Sequence, residues 1–313
     1  MSSKIQIGIV GAGYISQKHL EVLKNSKNFE IAAITSRTLK KAKLVAKKFK
    51  IKNTNKNLNE MVKKNKLDCL AVLVSAENMF STLKKVISFK IPFFFEKPAG
   101  LNFKEIQILA KLAKKNKVKN MVGLNRRFYS GFKQGIDFLN KKGGIKGILI
   151  EGHERFWKIK KQTINTKVYK NWLFANSIHT IDLLRFFGGE IKTLKSFSNN
   201  SGDNKNFTIS VKFKNNIIGS YISNWDSPGG WSVSLFGKGY SVIYKPLESG
   251  ILYDRKFNKK NLKISSYDKK YKSGFYMQLV HFQKLISSNK LVWPSQDLKG
   301  LLKSALIIKK ISR

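Results

Sequence analysis

Ile5-Gln6-Ile7-Gly8-Ile9-Val10-Gly11-Ala12-Gly13-Tyr14-Ile15-Ser16 runs an apolar stretch directly into a glycine turn. Ile5, Ile7, Ile9 and Val10 suit a buried parallel strand, Gly11 permits a tight turn, and Gly13 lets the backbone approach a pyrophosphate. A helix over residues 14–25 then turns its unpaired N–H groups and positive dipole end toward the ligand. Ser16 stands where a third glycine is usual, one small residue for another. The spacing predicts a nicotinamide or flavin dinucleotide held at Gly11, Ala12, Gly13, Tyr14 and Ile15. The same local pattern also fits a glycine-containing turn of another α/β domain, so the decision rests on what surrounds it.

Outward from the turn, strands and helices alternate through the first 123 residues, which argues for a parallel, doubly wound sheet. Phe29–Thr35 reads as strand two and Leu39–Phe49 as a Lys-rich amphipathic helix. Residues 70–74 supply a later strand, 81–89 a helix, 93–95 a strand of three phenylalanines, 104–116 a helix and 121–123 a last strand. Near Asn125 the pattern changes. From 148 to about 268 it is dominated by period-two alternation with Gly and Asn turns. Strands 207–213 and 217–222 join through Asn215-Asn216 as a hairpin. A helix over 177–187 interrupts this region, and a helical stretch over 278–311 is broken near Pro294. The expected architecture is an α/β Rossmann domain over 1–123 and a substrate-binding and oligomerisation domain over 124–313. The second is α+β with a mostly antiparallel open sheet, and its C-terminal helices are candidates to pack back on the first domain.

At 313 residues and 42% hydrophobic composition, two folded domains are expected. No apolar run approaches the roughly 18 to 20 residues of a membrane helix, and the N-terminus reads as strand and turn, so no membrane association and a cytoplasmic location are expected. The single cysteine, Cys69, sits in an apolar run and reads as a small buried hydrophobe; no disulfide within the chain and no metal site are expected. With 61 Lys and Arg against 18 Asp and Glu, the net charge is +43. The charge is mostly Lys, spread through every segment, with scarce Arg and no recognised nucleic-acid signature. A specific nucleic-acid partner is therefore not expected, whereas a field drawing anionic substrates and cofactors into a cleft is.

Two further segments carry chemistry. Glu96-Lys97-Pro98 ends the phenylalanine strand, and ligands of open α/β sheets bind beyond such strand ends. An ammonium there can hydrogen-bond a reacting carbinol or carbonyl oxygen, with Glu96 able to orient it. In Ser177-Ile178-His179-Thr180-Ile181-Asp182, the histidine and aspartate lie three residues apart on one helix face, and imidazole exchanges protons near neutral pH. Strand two ends in Thr35-Ser36-Arg37 without an acid, which suits a 2′-phosphate and favours NADP, with NAD possible. Trp225, Trp231, Trp172, Tyr169 and Tyr129 are aromatic candidates for a carbohydrate pocket, each also a candidate for core or interface.

Together these features resemble the glucose-fructose oxidoreductase and inositol dehydrogenase family, written Gfo/Idh/MocA. Asn125-Arg126-Arg127-Phe128 looks like the family segment that enters the second domain. The resemblance implies NAD(P)-dependent oxidation or reduction of a small-molecule sugar, cyclitol or nucleotide sugar. It implies Lys97 and His179 as catalytic residues, with Ser36, Arg37, Ser75, Glu96, Lys97 and Asn125 beside the cofactor. Candidates on the substrate side are Asn176, Asp182, Arg126, Tyr129 and Trp172, and the resemblance implies homodimers or homotetramers. Two positions depart from the family pattern. Many members carry an aspartate four residues before the histidine, where this chain has Ala175, and the usual Thr-Pro-Asn after the fourth strand is Ser75-Ala76-Glu77. The alternative function is thus a catalytically altered NAD(P)-binding regulatory or binding protein of the same fold.

Overall fold

A computed structural model describes residues 4–160, 164–201 and 204–311. The chain forms two compact units, Met1–Asn125 with Gly274–Leu302, and Arg126–Ser273 with Lys303–Arg313.

Unit 1 alternates β1 (Ile5–Val10), α1 (Tyr14–Lys24), β2 (Phe29–Thr35), α2 (Leu39–Phe49), β3 (Asn53–Asn55), α3 (Leu58–Lys64), β4 (Cys69–Val72), α4 (Ala76–Ser88), β5 (Phe93–Glu96), α5 (Phe103–Lys115) and β6 (Asn120–Gly123). The strands are parallel in the order β3-β2-β1-β4-β5-β6, the doubly wound arrangement. Ile7, Ile9, Ile34, Leu70, Val72, Phe93 and Phe95 fill the sheet's interior. Continuous apolar strands are what a sheet covered on both faces requires.

Differences from the sequence reading have local causes. Strand β3 is Asn-Thr-Asn, a three-residue edge with no apolar signal, paired only with β2. Helix α3 is set by a capping box: Asn57 Oδ1 accepts from the Glu60 amide at 2.9 Å and Glu60 Oε2 from the Lys56 amide at 2.8 Å. Helix α4 starts at Ala76, after Ser75 as N-cap and ahead of the residues 81–89 expected from sequence, because Ala76-Glu77-Asn78 precede the buried residues Met79, Leu83, Val86 and Ile87.

Unit 2 holds α6 (Ser130–Lys141), β7 (Ile145–Gly152), α7 (Phe156–Lys160), α8 (Thr166–Lys170) and α9 (Ile178–Gly188). It continues with β8 (Ile191–Ser201), β9 (Asn204–Phe213), β10 (Ile218–Ser223), β11 (Trp231–Gly237), β12 (Tyr240–Tyr244), β13 (Gly250–Asp254), β14 (Lys259–Asn261) and α10 (Ser266–Lys270). Its eight strands run in the order β14-β13-β12-β11-β7-β10-β9-β8, antiparallel except for the β7–β10 pair. The predicted hairpin is β9–β10, with Val211 opposite Gly219 and Asn216 in the left-handed region at φ 66°. Ile148, Ile150, Tyr221, Val233, Leu235, Val242 and Tyr244 form the buried face of the sheet, against which α6 and α9 pack. The chain closes with α11 (Phe275–Ser288) in unit 1 and α12 (Leu298–Ile311), whose residues beyond Leu302 belong to unit 2.

Candidate functional site

All six strands of unit 1 point the same way, so residues following them share one edge of the sheet. After β1, Gly11 has φ 119°, and a Cβ there would lie 2.4 Å from the Leu73 carbonyl oxygen. Only glycine satisfies both the angle and the approach. Its N–H donates to the Thr35 carbonyl at 2.8 Å, which draws the end of β2, and with it Ser36 and exposed Arg37, to the glycine turn. Gly13 caps α1 in an ordinary extended conformation, φ −84°, and a Cβ there would meet nothing within 4 Å. Its lack of a side chain keeps the head of α1 open toward solvent, beside exposed Tyr14. Buried Ser16 is more than a substitute glycine: its hydroxyl donates to the Gly11 carbonyl at 2.8 Å and closes the turn.

Farther along the edge, Ser75 caps α4 and Lys97 follows β5, half-buried before a cis Pro98. Glu96 departs from the expected orienting role. Its Oε1 lies 2.8 Å from His19 Nε2 of α1, and the His19 ring stacks on Phe275 at 4.2 Å. A buried carboxylate needs a partner, and α1 supplies it. Asn125 is buried, with its carbonyl against Gly274, where φ is 82° and a Cβ would sit 2.2 Å from that oxygen.

In unit 2, α9 is apolar nearly all round, which buries it and obliges each of its polar side chains to find a partner. His179, 2% exposed, places Nε2 at 2.9 Å from Arg126 Nη1. A guanidinium has only donors, so Nε2 accepts and the ring proton resides on Nδ1. The Arg126 guanidinium also lies over the Trp231 ring, 5.0 Å from its centroid. Thr180 Oγ1 pairs with the Tyr221 hydroxyl at 3.0 Å, whose ionisation burial pushes well above the usual tyrosine range.

Asp182 departs from expectation as well. It accepts from Arg127 Nε at 2.5 Å, Arg127 Nη2 at 3.0 Å and Ser304 Oγ at 2.6 Å, so it is committed to a buried ion pair and places neither the imidazole nor a substrate. The neighbouring arginines therefore divide the helix between them, Arg126 to His179 and Arg127 to Asp182.

The residues before α9 form a π-helical turn, Leu173–Ser177, a feature that often marks functional sites. Ala175 and Asn176 lie in it. Sequence reasoning missed Glu154, which is 4% exposed and accepts from Ser177 Oγ at 2.7 Å and Asn176 Nδ2 at 3.5 Å. The signal available was scarcity: among the described residues the buried acids are Glu96, Glu154 and Asp182. Tyr129 is buried, donates to Glu248 Oε1 at 3.0 Å and has its ionisation pushed far up by burial. Trp225 is core, tilted against Phe156 with Nε1 donating to Ser223 Oγ at 3.1 Å, and Tyr169 stacks on the same Phe156. Half-buried Trp172 has its Nε1 enclosed without a hydrogen-bond partner among the described residues. Among those residues no three His, Cys, Asp or Glu side chains are grouped to hold a metal ion, and no helix is long and apolar enough to cross a membrane.

Residues 5–124 match the sequence profile of the Gfo/Idh/MocA oxidoreductase family, NAD-binding Rossmann fold. Residues 5–124 are thus similar to the NAD-binding domain of Gfo/Idh/MocA oxidoreductases. Relatives include the 4-carboxy-2-hydroxymuconate-6-semialdehyde dehydrogenase of Sphingobium sp., 24% identical over 60% of each chain. The scyllo-inositol 2-dehydrogenase (NADP(+)) of Bacillus subtilis is 26% identical over 45% of this chain and 43% of its own. These matches thus span less than two thirds of either relative. The fold match is longer: a dehydrogenase from Chromobacterium violaceum superimposes with a TM-score of 0.86 at 20% identity, covering all of this chain and 95% of that one. The Rossmann unit carries Lys97 and the glycine turn, and the open-sheet unit carries His179, Ala175 and the two arginines.

Proposed function

We propose that this chain is an NADP(H)-preferring oxidoreductase. It moves hydride between nicotinamide and a secondary hydroxyl or ketone of a sugar, cyclitol or nucleotide-activated sugar. The observation that supports this best is the strand-end edge of unit 1, where Gly11–Gly13, Ser36–Arg37, Ser75 and Lys97 follow four parallel strands. These residues fit a dinucleotide. The open head of α1 at Gly13 suits a pyrophosphate, and a hydroxyl and a cation, with no acid, suit a 2′-phosphate. When bound, the nicotinamide supplies or accepts hydride. Lys97 offers an ammonium that stabilises alkoxide character on the reacting oxygen, and His179 exchanges that oxygen's proton at Nε2.

A second reading, a nucleotide-dependent binding protein without turnover, is favoured by Ala175 in place of the family carboxylate. Fluorescence titration with NADPH and NADH, followed by assays over sugars, cyclitols and sugar nucleotides, separates the two. NADPH should bind more tightly, and Lys97→Ala and His179→Ala should each lower kcat by roughly 10²- to 10⁴-fold. Turnover within a fewfold of wild type would remove these roles; tight NADPH binding with no turnover on any compound favours the second reading. The proposal includes self-association. Register places exposed Leu149, Phe197, Ile218 and Phe236 on the same face of the unit 2 sheet, which suits a second copy. Sedimentation equilibrium checks it, a monomer at micromolar concentration being the adverse result.

A further inference from the structure

Resting on the oxidoreductase reading, we infer that the substrate carries an anionic group, a carboxylate or phosphate, beside the reacting carbinol, and that Arg126 recognises it. The starting point is a conflict inside unit 2. The proposed proton acceptor is His179 Nε2, and that nitrogen already accepts from Arg126 Nη1 at 2.9 Å. While this contact stands, the lone pair is taken. Asp182 offers no relief, since Arg127 and Ser304 occupy it, and residue 175 supplies no carboxylate.

An anionic group on the substrate resolves this conflict. Guanidinium forks pair with carboxylates and phosphates in two parallel bonds that a neutral hydroxyl cannot match. Such a group draws Arg126 off Nε2. The nitrogen is then released to take the carbinol proton as hydride leaves carbon for the nicotinamide, and the resulting imidazolium returns the proton to solvent after the ketone departs. Trp231 suits this movement: its ring face, 5.0 Å from the guanidinium carbon, supports the plane without consuming donors. Arg126 is half-buried, and so open enough for a ligand. Arg126 and His179 touch before a ligand arrives, so a hydroxy acid or hydroxy phosphate is the substrate class that can meet both. The chain's net charge of +43 concentrates such anions near the surface. Arg126 is thus a specificity residue that holds His179 idle until an acidic substrate arrives.

The test compares D-gluconate and D-glucuronate with D-glucose and myo-inositol, and adds a hydroxy-phosphate such as glycerol 3-phosphate to separate phosphate from carboxylate. It uses the intact protein with NADP⁺, wild type and Arg126→Met. Turnover is followed by absorbance, binding by calorimetry, and the His179 tautomer by imidazole ¹⁵N shifts. Wild type should prefer an acidic compound by about 100-fold or more in kcat/KM, and Arg126→Met should bring the acidic and neutral compounds to within a fewfold of each other. Acid binding should shift the His179 ¹⁵N signals in wild type and not in the variant. Neutral sugars turned over while the acids neither bind nor react would overturn this inference and keep the oxidoreductase reading. Arg126-dependent acid binding without reduction of NADP⁺ under any condition would support the recognition and overturn the hydride reading.

Discussion

The two units prepare their chemistry by different means. Unit 1 does it with backbone: a left-handed Gly11 wedged against the Leu73 carbonyl, an unobstructed Gly13, and parallel strands whose ends are necessarily collected on one edge. Unit 2 does it with side chains from distant positions, joining Arg126 to His179, Arg127 to Asp182 and Ser304, and Glu154 to Ser177. Backbone devices need a few residues at fixed spacing. Side-chain devices need partners 23 to 122 residues apart in the chain.

The comparison predicts that unit 2 is the more vulnerable to deletion of one polar group. Arg127→Ala leaves Asp182 buried beside Ser304 alone, and removal of one member of such a pair costs about 3–5 kcal/mol. Chemical denaturation with a probe in unit 2, such as Trp231 fluorescence, measures it. A loss below about 1 kcal/mol would mean the Arg127–Asp182 bond does not hold α9 in place.

This difference also explains what could be read in advance. The Rossmann order, the dinucleotide turn and the position of Lys97 follow from local periodicity and from the rule that ligands bind at strand ends. Edge strand β3 was invisible because its Asn-Thr-Asn has no apolar pattern, and α3 because its signal is a capping box in polar sequence. In unit 2 the helix carrying His179 was legible, but the partners of its polar groups were not. Helical spacing suggested that Asp182 serves His179, whereas the fold gives it to Arg127. Glu96 misled in the same way, since proximity in sequence to Lys97 counted for less than a buried bond to His19. What could have been used is composition: in a chain with 18 acids, a buried one is rare and needs a specific partner.

A pair of glycine substitutions sharpens the backbone half of the comparison. Gly13→Ala meets nothing within 4 Å and has an accessible φ, so the apo protein should keep its stability within about 0.5 kcal/mol. NADPH affinity should nevertheless fall tenfold or more, about 1.4 kcal/mol, because the methyl group occupies the approach to the pyrophosphate. Gly11→Ala, strained and in collision with a backbone oxygen, should instead lower stability and affinity together. Thermal melts and fluorescence titration on the two variants check this. Equal affinity of Gly13→Ala and wild type would remove the phosphate from the head of α1.

The smallest expected effect probes a side chain on which unit 1 depends. His281 of α11 has Nδ1 at 3.1 Å from Ser295 Oγ; burial, and secondarily the charge of Lys284, hold its pKa below the ordinary 6.5. Because the folded value is depressed, the unfolded chain binds the proton more readily. The stability that neutral His281 contributes is therefore complete above about pH 6.5 and is lost as pH falls through the lowered native value. His281→Gln keeps a polar partner for Ser295 and removes the titration, so the fall in unfolding free energy between pH 7 and 5 should be shallower by less than about 1.4 kcal/mol per pH unit. Urea unfolding at pH 7, 6 and 5 measures the slopes. Parallel slopes would show that this histidine, unlike the paired groups of α9, leaves the stability of its unit untouched.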